Sequence, residues 1–141
     1  MEQTAILGPF FAMIALTLAV WLYLFVRRVP FILRTDFGPD GLTPAKFAAL
    51  SPPAVSNPSD NFKNLFELPV IFYALVLYLF TAQRVDTTYV TAAWVFFVFR
   101  ALHSAMACTL NIVNVRFALY LAASLALWFM AIRAALAHLA G

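Results

Sequence analysis

A row of polar and charged side chains interrupts an apolar stretch in the second half of the chain. At about 100° of rotation per residue, five positions fall within an arc of about 80° on one helix face: Arg100, His103, Ala107, Asn111 and Asn114. A guanidinium can hold an anion, and an imidazole can exchange a proton near neutral pH. The spacing therefore predicts one helix face that is capable of chemistry.

A second row lies earlier in the chain, where Asp60, Asn64, Glu67, Ile71 and Tyr78 share one face of another apolar helix. An ionisable side chain at the centre of a membrane helix costs about 2.5–3.5 kcal/mol, so it faces protein or a water-filled cavity rather than lipid. We therefore expect the two rows to face each other.

Helix direction places both rows in the same half of a bilayer. At about 1.5 Å per residue, Glu67 lies about 9 Å deep, His103 about 10 Å and Arg100 about 15 Å from one side. Arg116 begins the next helix on that side, and Tyr120, four residues later, lies on the same helix face. His103 itself fits either a packed core histidine or a general acid–base catalyst.

Two interpretations of this group remain open. In the first, Glu67 and Arg100 form a buried ion pair and the asparagines make interhelical hydrogen bonds, so that the group is structural. In the second, a cavity holds an anionic ligand on a cationic cluster of Arg100 and Arg116, with Lys63 or Arg28 as a further member.

The elements that position these residues follow from composition. Of 141 residues, 65% are hydrophobic and 11% charged, which leaves too little polar surface for a water-soluble globule. Four segments approach the roughly 20 apolar residues that cross a bilayer, at about 5–26, 61–82, 89–110 and 115–139. The first is expected to be a retained helix rather than a signal peptide. We predict an all-α membrane protein, a single domain over residues 1–141 built as a four-transmembrane-helix bundle.

Residues 27–60 hold six of the eight prolines and are predicted to form an irregular connection between the first two helices. Five of the nine basic residues lie in this connection or at its exit: Arg27, Arg28, Arg34, Lys46 and Lys63. The positive-inside rule predicts that this loop is cytoplasmic and that both termini are not, and we expect a bacterial inner membrane. Pro69 should kink the second helix just beyond Glu67, and Arg133 should reach toward lipid headgroups.

Other classes of function are disfavoured. The net charge of +3 comes without a basic stripe interleaved with exposed aromatic residues, so nucleic-acid binding is not expected. His103 and His138 are isolated from each other and from further ligands, so no metal is expected. Cys108, the only cysteine, lacks a neighbour that creates a thiolate and is expected to be a packing residue.

The polar residues of the two rows resemble the pattern of the MAPEG family, the membrane-associated proteins in eicosanoid and glutathione metabolism. The similarity extends over most of the chain and includes its length and its four-helix topology. Three motifs carry it: Asn64-x-x-Glu67 followed by Pro69, Arg100-x-x-His103, and Arg116-x-x-x-Tyr120.

This resemblance implies a homotrimer surrounded by membrane lipids, with ligand sites between neighbouring subunits in the cytoplasmic half. It implies glutathione as the thiol cofactor, and Arg116 as the catalytic residue that stabilises a thiolate for attack on an electrophilic lipid. The other matched positions are implied to bind glutathione: Asn64, Glu67, Arg100, His103 and Tyr120.

Two positions depart from the family pattern. Asp60 stands where catalytic members tend to carry arginine, and Ala107 stands where tyrosine is usual, so both changes remove ligand-holding groups. The sequence leaves two functions open. One is a glutathione-dependent transferase or peroxidase acting on lipophilic electrophiles. The other is a non-catalytic lipid-binding or accessory subunit of a larger membrane-protein complex.

Overall fold

A computed structural model of the chain describes residues 2–140, so that Met1 and Gly141 of the predicted domain lie outside the described residues. These residues form a short 3-10 helix, Gln3–Ile6, and six α-helices. The α-helices, in chain order, are α1 Leu7–Arg34, α2 Pro44–Leu50, α3 Pro53–Asn64, α4 Leu68–Thr81, α5 Thr87–Cys108 and α6 Val113–Leu139.

Four stretches of these helices are long and apolar enough to cross a membrane, namely Gln3–Arg34, Pro53–Thr81, Thr87–Cys108 and Val113–Leu139. The described residues contain no β-strand. The predicted all-α architecture with four spans is therefore confirmed. Successive spans run in opposite directions. The last residues of α1 and α5 therefore lie at the same end of the bundle, together with the connection between α1 and α4 and the start of α6. We call this the loop end.

Aromatic and small side chains hold the helices together. Phe72 of α4 stacks on Phe96 of α5 with ring centroids 4.6 Å apart, and neither ring is exposed. Gly8 of α1 lies so close to α5 that a Cβ atom there would be 3.2 Å from the indole of Trp94. Many large apolar side chains point outward instead, such as Phe11 and Leu125. Such a surface suits lipid as a solvent rather than water.

The connection between the first two spans is more regular than the irregular loop predicted for residues 27–60. Helix α1 continues through Pro30 to Arg34, and α2 and α3 occupy much of the remainder. The prolines begin helices here as well as interrupting them: Thr43 caps α2 by accepting a hydrogen bond from the Lys46 amide at 3.2 Å, and Pro44 follows it. A proline in the first turn loses no hydrogen bond.

Pro69 has a larger effect than the predicted kink. Helix α3 ends at Asn64 and α4 begins at Leu68, because the proline ring lacks an N–H and collides with the carbonyl four residues earlier. Glu67 lies in this break with φ −95° and ψ −107°, outside the helical region. The second span is therefore two helices, and the break exposes backbone and polar side chains within it.

The opposite end of the bundle is closed by polar contacts. Asp86 caps α5 by accepting from the Tyr89 amide at 3.0 Å, and the Arg133 guanidinium donates to both Asp86 carboxylate oxygens at 2.9 and 2.6 Å. Arg133 also lies 4.2 Å above the Tyr89 ring centroid. Arg133, which we expected to reach toward headgroups, therefore has a bidentate carboxylate partner within the protein.

The Arg133 guanidinium hydrogen-bonded to Asp86 holds the pKa of that carboxyl below its usual value. A carboxyl whose pKa is lower in the folded state stabilises the fold fully above its unfolded pKa, and that contribution is lost as the pH falls through the folded pKa. We therefore expect the melting temperature of the detergent-solubilised protein to fall on acidification below about pH 5. An Asp86→Asn variant should melt lower than wild type at neutral pH, with the difference narrowing in acid.

Thermal melts of both proteins at several pH values would measure this narrowing, and the exposed Asp36→Asn variant serves as the matched control. A constant difference between wild type and Asp86→Asn at every pH would show that the ion pair does not stabilise this end.

Candidate functional site

Arg100 is the centre of the polar contacts between the second and third spans. Its side chain has no exposed surface, and its Nη2 donates to Asn64 twice, to Oδ1 at 2.7 Å and to the backbone oxygen at 3.2 Å. The backbone oxygen is available because α3 ends at this residue. The helix break therefore supplies the acceptors that a buried guanidinium requires.

Glu67 joins this arrangement indirectly. The Asn64 amide Nδ2 donates to the Glu67 carboxylate at 2.6 Å, and the Glu67 side chain is exposed. The direct ion pair between Glu67 and Arg100, one of the two interpretations left open, is not formed among the described residues, since Asn64 lies between them. The reason is local: the break before Pro69 rotates Glu67 off the helix face on which an unbroken helix would place it.

Arg116 and His103 are held to each other at the start of α6. The His103 Nδ1 lies 3.0 Å from the Arg116 backbone oxygen, which selects the tautomer with the proton on Nδ1. The Arg116 Nη1 donates to the Asn111 Oδ1, and the Asn111 Nδ2 donates to the Asn57 Oδ1 at 3.1 Å. Asn111 adopts a positive φ of 50° in the turn between α5 and α6. The turn therefore fixes Arg116 to α3 through two amide side chains.

These residues surround a cavity of about 270 Å³ at the loop end. We call it the Arg116 cavity, and its lining residues are Asn64, His103, Val113, Arg116, Phe117 and Tyr120. Arg100 lies behind this wall, with its guanidinium carbon 5.9 Å from the Tyr120 ring centroid. Of the six predicted site residues, four line the cavity, Arg100 supports the wall, and Glu67 lies outside it beside Asn64.

Hydrogen-bonding nitrogens without partners lie in the wall of the Arg116 cavity and directly behind it. Four such buried nitrogens have no partner among the described residues: Arg100 Nε, Arg100 Nη1, His103 Nε2 and Arg116 Nε. Neither arginine has a carboxylate within ion-pair distance in the described part of the chain. Two cations with spare donors create a positive potential, and a site of this kind favours an anionic ligand.

Lys63 and Arg28, the proposed further members of the cationic cluster, do not belong to this cavity. They line a separate cavity of about 680 Å³ together with Asp60, and the Asp60 carboxylate lies 3.5 Å from the Lys63 Nζ. The Asp60 carboxylate therefore belongs to the wall of this second cavity. Ala107 is buried, with 1% of its surface exposed, and it lines neither cavity.

Three polar residues that support the site were not predicted from the sequence, namely Asn57, Asn61 and Ser104. The Asn61 Oδ1 accepts from the Ser104 hydroxyl at 3.3 Å, and Asn57 orients Asn111. The Asn61 amide also approaches the Cys108 sulfur at 3.7 Å. The signal was present in the spacing, because residues 57, 61 and 64 recur at helical intervals on one face.

The family model of the MAPEG family matches residues 6–136, which is nearly the whole chain. Comparison with curated proteins gave no significant match. Comparison with solved structures gave none either.

The contact between Asn64 and Arg100 yields a stability prediction. Replacing Asn64 by Leu should destabilise the protein by about 2 kcal/mol or more, because it leaves a buried cation without its side-chain acceptor. The double variant Asn64→Leu with Arg100→Met should lose less than the sum of the two single variants. Unfolding titrations in mixed micelles would measure all three.

Asn114→Leu provides the matched control, since Asn114 is an exposed amide near the start of α6. We expect a change of less than about 0.5 kcal/mol for this variant. Strictly additive losses in the double variant would show that Asn64 and Arg100 are not coupled.

Proposed function

Because this chain belongs to the MAPEG family, we propose that it is a glutathione-dependent transferase or peroxidase that acts on lipophilic electrophiles. The observation that carries this proposal is the Arg116 cavity, where Arg116 and Tyr120 face open space while Arg116 and Arg100 both lack a carboxylate partner among the described residues. Such a wall suits a ligand that brings its own negative charge.

The chemistry of glutathione fits the donors of this cavity. Its carboxylates and thiolate accept hydrogen bonds from guanidinium and amide groups, and Arg116, which lines the cavity, has an Nε without a partner among the described residues. Asp60, which reverses the charge at one position of the family pattern, is paired with Lys63 and lines the other cavity. Lys63 therefore offsets this negative charge, and Asp60 does not line the Arg116 cavity.

Bound glutathione supplies the thiol that becomes the nucleophile. Arg116 favours the thiolate over the thiol, because a cation beside an acid lowers the pKa of that acid. Asn111 holds the Arg116 guanidinium, and His103 holds the Arg116 backbone, so both are positioning residues in this proposal. Tyr120 adds a hydroxyl on the same face.

The lipophilic substrate enters from the bilayer side. Phe117 and Val113 line the cavity and also expose 64% and 70% of their surface, so the cavity wall is continuous with the lipid-facing surface. An apolar electrophile can then meet the thiolate without passing through water. Exclusion of water also strengthens the interaction between Arg116 and the thiolate.

We further propose that the chain assembles as a homotrimer. The Arg116 cavity of a single subunit, about 270 Å³, falls below the roughly 300–1,000 Å³ of typical ligand pockets, and a neighbouring subunit would supply the remaining wall. The basic residues at the loop end support a cytoplasmic position for this end, with both termini on the other side of a bacterial inner membrane.

A non-catalytic lipid-binding or accessory subunit is the second candidate. Ala107 favours it, because a buried methyl group replaces the hydroxyl that catalytic members tend to place one turn after His103. In this case the cavity binds lipid or supports a contact with a partner in a larger membrane complex. The two candidates differ in a measurable property, since the accessory protein has no preference for an ionisable thiol.

Titration calorimetry on the detergent-solubilised protein separates the candidates. Wild type should bind glutathione more tightly than S-methylglutathione, whose sulfur carries no ionisable proton, and Arg116→Ala should abolish that preference. Conjugation of glutathione with a chromogenic aryl halide should fall by about 100-fold in Arg116→Ala, as expected for loss of a group that stabilises developing charge.

Arg34→Ala is the charge-matched control, because Arg34 is exposed at the loop end and lines neither cavity. It should conjugate glutathione at the wild-type rate. If glutathione and S-methylglutathione bind alike and no conjugate forms, the transferase proposal fails, and co-purified lipid or partner protein would then support the accessory function.

A further inference from the structure

A second cavity of the described structure has no role in the proposed reaction. It measures about 680 Å³ and lies between the end of α1, α2 and α3. The Arg116 cavity is smaller and shares none of its lining residues. We call the larger one the α2 cavity, because that short helix covers it.

Arg28 forms the charged wall of the α2 cavity. Its Nη2 donates to the Ser59 hydroxyl at 3.1 Å, and its guanidinium carbon lies 4.7 Å above the Phe47 ring centroid. Its Nε is buried and has no partner among residues 2–140. Asp60 is the acidic residue of the lining and lies 3.5 Å from Lys63, so Arg28 has no carboxylate of its own.

The remainder of the lining is mostly apolar. Ile32, Leu42, Phe47 and Ala48 contribute hydrocarbon to the wall, and Leu42 exposes 49% of its surface. The cavity therefore has a fixed cation on one side and an apolar surface on the other. Amphiphiles with a negatively charged head have the matching distribution of charge and hydrocarbon.

The position along α1 indicates where such a ligand comes from. About 20 helical residues cross the hydrocarbon core. Counted from the first residue of α1, Leu7, these residues end at Val26. Arg28 follows two residues later, about 3 Å beyond the hydrocarbon edge. The α2 cavity therefore lies at the level of lipid headgroups, where single-chain amphiphiles partition.

We propose that the α2 cavity binds a single-chain anionic amphiphile, with its phosphate or carboxylate on Arg28 and its acyl chain against Leu42 and Phe47. The Arg28 guanidinium is the donor for the headgroup, because its Nε has no partner among residues 2–140. The Ser59 hydroxyl accepts from Nη2 and donates its own proton to the Val55 backbone oxygen at 3.3 Å, so it orients Arg28. This site shares no lining residue with the Arg116 cavity, and the proposal does not rest on the proposed glutathione chemistry.

Native mass spectrometry of the full-length protein in a non-ionic detergent tests this proposal with two probes of equal chain length. Lysophosphatidic acid should bind at least tenfold more tightly than zwitterionic lysophosphatidylcholine. Oleate, which carries a carboxylate in place of phosphate, should compete with lysophosphatidic acid, whereas inorganic phosphate alone should not.

Arg28→Gln should weaken the binding of lysophosphatidic acid by about tenfold, while Arg34→Gln, the same charge change at an exposed position of α1, should bind as wild type does. Arg116→Ala should also leave this binding unchanged, which separates this site from the proposed reaction. Ala48→Phe keeps every charge and fills the cavity, so it should abolish the binding of lysophosphatidic acid. This variant tests the site even if Arg28→Gln does not fold.

Three results would overturn the proposal. Equal binding of the two lysolipids would show that the headgroup charge is not recognised. Displacement of lysophosphatidic acid by inorganic phosphate would show that the acyl chain of the ligand contributes nothing to binding. Unchanged binding in Ala48→Phe would place the lipid elsewhere on the protein.

Discussion

A guanidinium without solvent exposure has to be satisfied by its own protein, and Arg100 imposes that requirement on this bundle. Removing a cation from water costs several kcal/mol, which only good hydrogen-bond geometry offsets. Here the acceptors are the side chain and the backbone oxygen of Asn64, at 2.7 and 3.2 Å. Meeting this requirement fixes the end of α3 against α5, and the wall of the Arg116 cavity is built on that contact.

The helix break before Pro69 is the backbone feature that makes this possible. An intact helix consumes each carbonyl oxygen internally, whereas the last turn of α3 leaves its oxygens available. Arg100 uses one of them, and Glu67, freed from the helix, accepts from Asn64 at 2.6 Å. A proline that costs stability in a soluble helix is tolerated in a membrane helix because neighbouring groups satisfy the freed backbone.

Much of this arrangement could be predicted from sequence, and the remainder has identifiable reasons. The four spans follow from hydropathy, and four of the predicted residues do meet in one cavity, because helix direction and rise per residue are enough to place them at one depth. The direct ion pair between Glu67 and Arg100, one of the two interpretations left open, is not formed among residues 2–140. Arithmetic at 100° per residue assumes an unbroken helix, and the break before Pro69 invalidates it for Glu67.

Helices α2 and α3 were missed for a different reason, since neither carries a long apolar window of its own. The pair of Asp86 and Arg133 joins residues 47 apart in sequence, and such a contact leaves no periodic signal. Helix α3 has one further consequence for the molecule. Asn64 faces one cavity while Ser59, Asp60 and Lys63 face the other, so α3 is a partition between two chambers. A ligand that displaced this partition from one side would alter affinity on the other, and thermodynamic reciprocity requires crosstalk of equal size in both directions.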